Sequence, residues 1–157
     1  MTQDDELARL RTIADYQFGA SAGVALFPPD NALTVTHSTG GRPRQVRADA
    51  GRVVSYGTDG RFTLGLEGGR RLVDALPAPT ARVVVGSESE PFVREGKNVF
   101  AKFVQTVDGD VRPRDEVAVV HETGDVLAVG RAELAADAMR DFETGMAVKV
   151  RAGAGSE

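Results

Sequence analysis

The sequence predicts an α+β domain followed by a mainly β domain with short helices, and three observations carry that prediction. An apolar stripe at helical spacing opens the chain, with Leu7, Leu10, Ala14 and Phe18 on one face and Arg9, Arg11 and Asp15 left for solvent. Short β-branched runs follow, joined by turn signals such as Gly57-Thr58-Asp59-Gly60 and Glu122-Thr123-Gly124-Asp125. Pro77-Ala78-Pro79 breaks the pattern between them and sets the predicted boundary, with residues 1–79 in the first domain and 80–157 in the second.

Taken in order, Gly19 is placed to close the first helix, and Pro28-Pro29 stops any helix after a short turn over Gly23 to Phe27. Strands are predicted over Leu33 to Thr36, Val53 to Tyr56 and Arg61 to Leu66, the last two as a hairpin. Arg70 to Leu76 reads as a second helix with Leu72, Val73 and Leu76 inward. In the second domain, Ala81 to Val85 reads as a strand buried on both faces, and Glu88 to Glu95 as a short helix ended by Gly96. Val117 to Val120 and Val126 to Val129 form the next hairpin, and Ala136 to Glu143 the last helix, with Met139 and Phe142 inward. Val148 and Val150 alternate with Lys149 and Arg151, which predicts a final strand with one apolar and one basic face. Ala152 to Glu157 reads as a frayed tail.

Composition narrows the function classes. Cysteine is absent, which removes disulfides, thiolate metal sites and a cysteine nucleophile. His37 and His121 are the two imidazoles, and neither stands at a metal-ligand spacing, so no metal or other cofactor is expected. No apolar run reaches bilayer length and the first residues are acidic, so the expected location is cytoplasmic. Residues 1–79 hold nine acids and nine arginines, whereas residues 80–157 hold fourteen acids and ten bases, which accounts for the net charge of -4. Sixteen arginines stand against three lysines and aspartate outnumbers glutamate, a usage expected of a salt-adapted, halophilic archaeal cytosol. Overall acidity disfavours nonspecific attraction to nucleic acid but leaves room for local basic patches.

The densest motif is Glu90-Pro91-Phe92-Val93-Arg94-Glu95-Gly96-Lys97-Asn98-Val99-Phe100-Ala101-Lys102-Phe103-Val104, followed by Arg112-Pro113-Arg114-Asp115-Glu116-Val117 and Ala128-Val129-Gly130-Arg131-Ala132. In that order it resembles a PUA domain, a small RNA-binding pseudo-barrel appended to pseudouridine synthases and archaeosine transglycosylases, over roughly residues 80 to 153. Ile13-Ala14-Asp15-Tyr16-Gln17-Phe18-Gly19, with Ala22-Gly23 and Leu26-Phe27-Pro28, resembles the small α+β domain that precedes the PUA in archaeosine transglycosylases and archaeosine synthases. The resemblance implies an α+β pre-PUA domain and a PUA pseudo-barrel. It also implies that the barrel performing base exchange would stand before residue 1, so a non-enzyme is expected.

The residue chemistry agrees. Asp15 beside Tyr16, Asp108 with Asp110, and Asp115 with Glu116 are the nearest approach to paired carboxylates, and their turn or helix-start positions predict solvated, ionised groups without acid–base roles. A serine with His37 or His121 lacks a nucleophile elbow, and Gly57 to Gly60 and Gly65 to Gly69 lack the lysine and hydroxyl of a phosphate loop. Arg42, Arg44 and Arg47 form a basic patch predicted to project from a loop, either toward RNA or a partner or simply into solvent. Arg94, Gly96, Lys97, Asn98 and Lys102 gather around the end of the helix that the resemblance implies lies against an RNA backbone; for Lys97 the alternative is a charge complementing the helix end. Lys149 and Arg151 are candidates to extend that surface. Phe92, Phe100 and Phe103 are assigned to the barrel core, with a stacking platform for bases as the alternative.

These readings lead to one expectation: an RNA-binding accessory protein that holds structured RNA, tRNA first, for a separate enzyme such as a tRNA-guanine transglycosylase or archaeosine synthase subunit. The alternative is a translation or ribosome-associated interaction factor, since some translation factors join the same two domain types. In a salt-rich cytosol, screened phosphate contacts contribute little, which favours recognition by shape, 2′-hydroxyls and unstacked bases.

Overall fold

Thr2 starts the chain's first helix through a reciprocal cap: the Asp5 amide donates to Thr2 Oγ1 at 3.2 Å, and the Thr2 amide donates to Asp5 Oδ2 at 3.5 Å. Such a cap contributes about 1 kcal/mol. The computed structural model describes residues 2–155, in one unit that ends at Leu76 and another that begins at Pro77.

In the first unit, α1 (Gln3–Phe18) buries Leu7, Leu10 and Ala14, and α2 (Ala22–Leu26) packs against it. Asp15 Oδ1 accepts from the Gly23 amide at 2.7 Å, tying the start of α2 to the end of α1. Strands β1 (Thr34–His37), β2 (Pro43–Ala48), β3 (Gly51–Tyr56) and β4 (Phe62–Leu64) form an antiparallel sheet in that order. Helix α3 (Leu66–Ala75) packs on β3 and buries Leu72. The rings of Phe27 and Phe62 meet edge to face at 5.7 Å, both fully buried, each contributing roughly 2–3 kcal/mol of burial. Gln17 holds the end of α1 to β4 at two points, donating to the Phe62 carbonyl at 2.8 Å and accepting from its amide at 2.7 Å.

The second unit contains β5 (Arg82–Val85), α4 (Glu90–Arg94), β6 (Val99–Phe100), a 3-10 turn over Ala101–Phe103, β7 (Val104–Val107), β8 (Glu116–His121), β9 (Val126–Ala132), α5 (Ala136–Asp141) and β10 (Met146–Gly153). The sheet order β6-β10-β9-β8-β5-β7 makes a nearly closed mixed barrel. Among the described residues, only β5 and β8 run parallel, so the segment between them must cross over, and it carries α4, β6 and β7 on the way. Val83, Val85, Val117, Val119, Leu127 and Val148 fill the core together with Met139 of α5. Valine predominates because its branched side chain packs well on a pleated surface.

Four expectations are corrected. Arg42, Arg44 and Arg47 do not share a loop: Pro43–Ala48 is strand β2, which a proline at its first residue permits. Val84 is only partly buried, so β5 alternates instead of burying both faces. Phe142 caps α5 and is half exposed, because the helix ends at Asp141. Ala152 to Gly155 are tied down, with the Ala154 amide donating to the Leu127 carbonyl and the Gly155 amide to the Arg94 carbonyl, each at 2.8 Å. Ser156 and Glu157, the rest of the expected tail, lie outside the described residues.

Candidate nucleic-acid interface

Helix α4 is barely more than one turn long, and such a helix can turn only part of its circumference inward. Val93 takes the inward place, 2 % exposed, which leaves Phe92 59 % exposed. Gly96 then ends the helix with φ of 98°, a left-handed conformation that glycine adopts without steric cost. The Gly96 amide donates to the Val93 carbonyl at 2.9 Å and the Lys97 amide to the Phe92 carbonyl at 3.0 Å, the paired bonds of a Schellman ending. That ending leads through Lys97 into the two-residue strand β6, where Val99 is buried and Phe100 stands 46 % exposed. Assignment of Phe92 and Phe100 to the barrel core is therefore corrected, while Phe103 is partly buried.

Phe92, Phe100 and Phe103, with Val93, Val99, Lys97 and Asn98, line a cleft of about 520 Å³. Lys102 stands at 5.1 Å from the Phe103 ring centre, within cation–π range. Among the described residues, none of the ion pairs involves Lys97, Lys102 or Lys149, so no carboxylate of the chain competes with an external anion for these ammonium groups. Chemically, the cleft offers aromatic faces beside ammonium groups, a combination suited to an unstacked base with its phosphate.

The other predicted residues divide by what holds them. Asn98 lines the cleft, but its Oδ1 accepts from the Val150 amide at 2.9 Å and so joins α4's loop to β10. Arg94 donates to Glu90 Oε2 at 3.0 Å and to the Gly155 carbonyl at 3.4 Å. Lys149 stands opposite Arg131 in the β10–β9 register, outside the cleft lining, and Arg131 is paired with Glu133 at 3.0 Å. Arg151 forms a two-point ion pair with Glu116, whose residue is 7 % exposed. Glu116 is thus not the solvated surface acid expected: it is a buried carboxylate held by a guanidinium.

In the first unit, Arg42 lies 4.5 Å over the Tyr56 ring and donates to the Tyr56 and Gly57 carbonyls. Arg44 and Arg47 are exposed on β2, and Arg47 donates to Gln45 Oε1 at 3.2 Å. A polar cleft of about 610 Å³ lies near Glu6, Arg9, His37 and Arg42, with Glu6 bonded to His37 at 2.8 Å.

Among the described residues, the second unit holds a serine–histidine contact. His121 Nε2 lies 2.9 Å from Ser87 Oγ, and Nδ1 lies 2.7 Å from Thr123 Oγ1. The Thr123 amide donates to Nδ1 at 3.1 Å, which assigns the proton to Nε2 and makes the imidazole a donor toward Ser87. A donor cannot act as the base that activates that hydroxyl. Asp108 and Asp115 are likewise occupied, accepting from the Ala81 and Arg112 amides at 2.8 and 2.9 Å. Among the described residues, no group of acids and histidines is arranged to hold a metal, and no helix is long and apolar enough to cross a membrane.

Residues 8–79 match the family model described as the patch-forming domain C2 of tRNA-guanine transglycosylase, and residues 81–154 match the PUA domain model. A tRNA-guanine(15) transglycosylase of Pyrococcus furiosus is 44% identical over 153 residues, covering 97% of this chain and 26% of the relative. The enzyme of the same name from Methanothermobacter thermautotrophicus is 42% identical over 152 residues, covering 97% of this chain and 23% of the relative. The chain thus spans about a quarter of the length of the curated relatives it matches. Among solved structures, a hypothetical protein of Pyrococcus horikoshii superposes with a TM-score of 0.72 at 20% identity, over 99% of this chain and 94% of that one. A conserved PUA domain protein from Thermoplasma acidophilum gives 0.63 at 20% identity, over 100% and 93%. At that identity the two structures share the fold.

Proposed function

Because the first domain belongs to the C2 family of tRNA-guanine transglycosylase and the second to the PUA family, matching the C-terminal region of archaeosine-type tRNA-guanine transglycosylases, we propose that this chain binds structured RNA, tRNA first, in the service of tRNA modification. The observation that carries the reading is the cleft: two half-exposed phenylalanines and a third ring beside Lys97 and Lys102. Unpaired nucleotides fit it, since each base offers a face to a ring and each phosphate an anion to a lysine. Gly96 and Lys97 are the central contacts in this reading, with Lys102 at the margin and Lys149 as a further phosphate contact. Arg94, Asn98 and Arg151 hold the surface in shape. Arg44 and Arg47 are the first domain's contacts, with Arg42 fixing the turn beside them.

In this role the chain presents RNA to base-exchange or archaeosine-forming chemistry and supplies none of its own. The acid-rich, arginine-rich composition fits a cytoplasm of high salt, in which stacking and hydrogen bonding outlast screened charge.

Binding of the purified chain to unmodified bulk tRNA, at low and near-molar salt, against a blunt RNA duplex of equal length, tests the proposal. Stacking of one base predicts a preference for tRNA of roughly 5- to 150-fold, from about 1–3 kcal/mol per base, that persists in high salt. Equal affinity for the two RNAs would sink the reading, and ribosome cosedimentation would then test the translation-factor alternative.

A further inference from the structure

The register of the first domain's sheet sorts its side chains into two faces. Val35, Val46, Val54 and Leu64 stand side by side on the face turned to the core. The opposite face carries Thr36, Gln45, Ser55 and Thr63 in one row across all four strands. Thr34, Arg47 and Arg52 form the next row. Arg52 donates to Ser55 Oγ at 2.9 Å and to the Thr63 and Leu64 carbonyls at 3.5 and 3.3 Å, and Arg47 donates to Gln45 Oε1 at 3.2 Å, which fixes both guanidiniums over the sheet. Thr34 and Arg47 are exposed, and the other five are partly exposed.

Neither row contains a carboxylate or a large apolar side chain, although acids outnumber bases by 23 to 19 in the whole chain. Hydroxyls, an amide and two guanidiniums complement an anionic, hydroxyl-bearing partner. Without an aromatic ring, this face cannot stack unpaired bases, which is what the phenylalanine cleft of the second domain offers. What remains for a flat donor-rich surface is a ribose–phosphate backbone, and its phosphates and 2′-hydroxyls are displayed together along the shallow minor groove of an A-form helix.

We infer that the outer face of this four-stranded sheet is a docking surface for the backbone of double-helical RNA, centred on Thr34, Arg47 and Ser55. The inference rests on the chain's being an RNA binder and adds to it a second surface with a different RNA specificity: helix backbone here, unpaired nucleotides at the cleft.

The test compares the full chain, the double variant T34E/R47E and the cleft variant F92A/F100A on two RNAs: a blunt duplex, and the same duplex with a short unpaired 3′ extension. Carboxylates at two exposed positions should weaken binding of both RNAs by at least tenfold. The cleft variant should hold the blunt duplex as the parent does and lose only the gain given by the extension. R47Q, which removes charge with little change of shape, should lower the slope of log affinity against log salt by about 0.9. Unchanged binding of the blunt duplex by both T34E/R47E and R47Q would overturn the inference. If the cleft variant still lost the extension's gain, RNA binding by the second domain would stand without it. Failure of the parent chain to bind either RNA would remove both.

Discussion

Gly153 on β10 runs so close beneath the carbonyl of Arg94 that a β-carbon at that glycine would overlap it, and would also meet the Gly96 amide nitrogen at 2.8 Å. The last strand of the barrel therefore supports the end of the short helix that presents Phe92 and Lys97. Gly153→Ala should push the two backbones apart, lowering stability by about 1–3 kcal/mol in urea unfolding and weakening RNA binding with it. An unchanged unfolding midpoint would mean that the helix end is not held this way.

Asn98 is expected to act through shape. Its Oδ1 is the acceptor for the Val150 amide, so Asn98→Ala leaves that donor unmatched and should cost about 1–3 kcal/mol. Asn98→Asp keeps an acceptor oxygen and should lose clearly less. Equal losses for the two variants in thermal unfolding would rule out this hydrogen bond as the cause.

Phe92 and Phe100 separate stability from function. Both are about half exposed, so truncating either to alanine should change stability by no more than about 1 kcal/mol. Loss of one stacking ring should nevertheless weaken binding of unpaired RNA by about 1–3 kcal/mol, or 5- to 150-fold. Binding that tracked unfolding, with neither effect seen alone, would return the rings to a packing role.

Arg151 reports on Glu116. Removing the guanidinium in Arg151→Ala takes a two-point ion pair from a buried carboxylate and should cost roughly 3 kcal/mol. Replacing both residues by methionine should be far milder. A double variant as unstable as the single one, by calorimetry, would show that the pair does not account for the loss.

Gln17 is the corresponding hook in the first domain. Gln17→Ala breaks both bonds to the Phe62 backbone, inside the β4 edge, and should cost about 2 kcal/mol. The loss should appear in first-domain amides by hydrogen exchange and spare the second. Uniform loss of protection across both domains would contradict a local role.

Much of this protein was legible in the chain itself. The stripe Leu7, Leu10 and Ala14, the hairpin signals at Gly57–Gly60 and Glu122–Asp125, and the left-handed Gly96 are local features, and local chemistry specifies them. The motif around Phe92 to Lys102 likewise marked the fold. Strand β2 escaped because Arg42-Pro43-Arg44 reads as a loop, and only pairing with β1 and β3 makes it a strand. The sequence alone also could not decide which phenylalanines face inward. A one-turn helix beside a two-residue strand has room to bury Val93 and Val99, and the rings next to them are left outside. Burial of Glu116, its capture by Arg151 and the carboxylate-free outer face of the first sheet are contacts between residues far apart in the chain. Such contacts exist only once strand register has been set, which is why tertiary structure decided them.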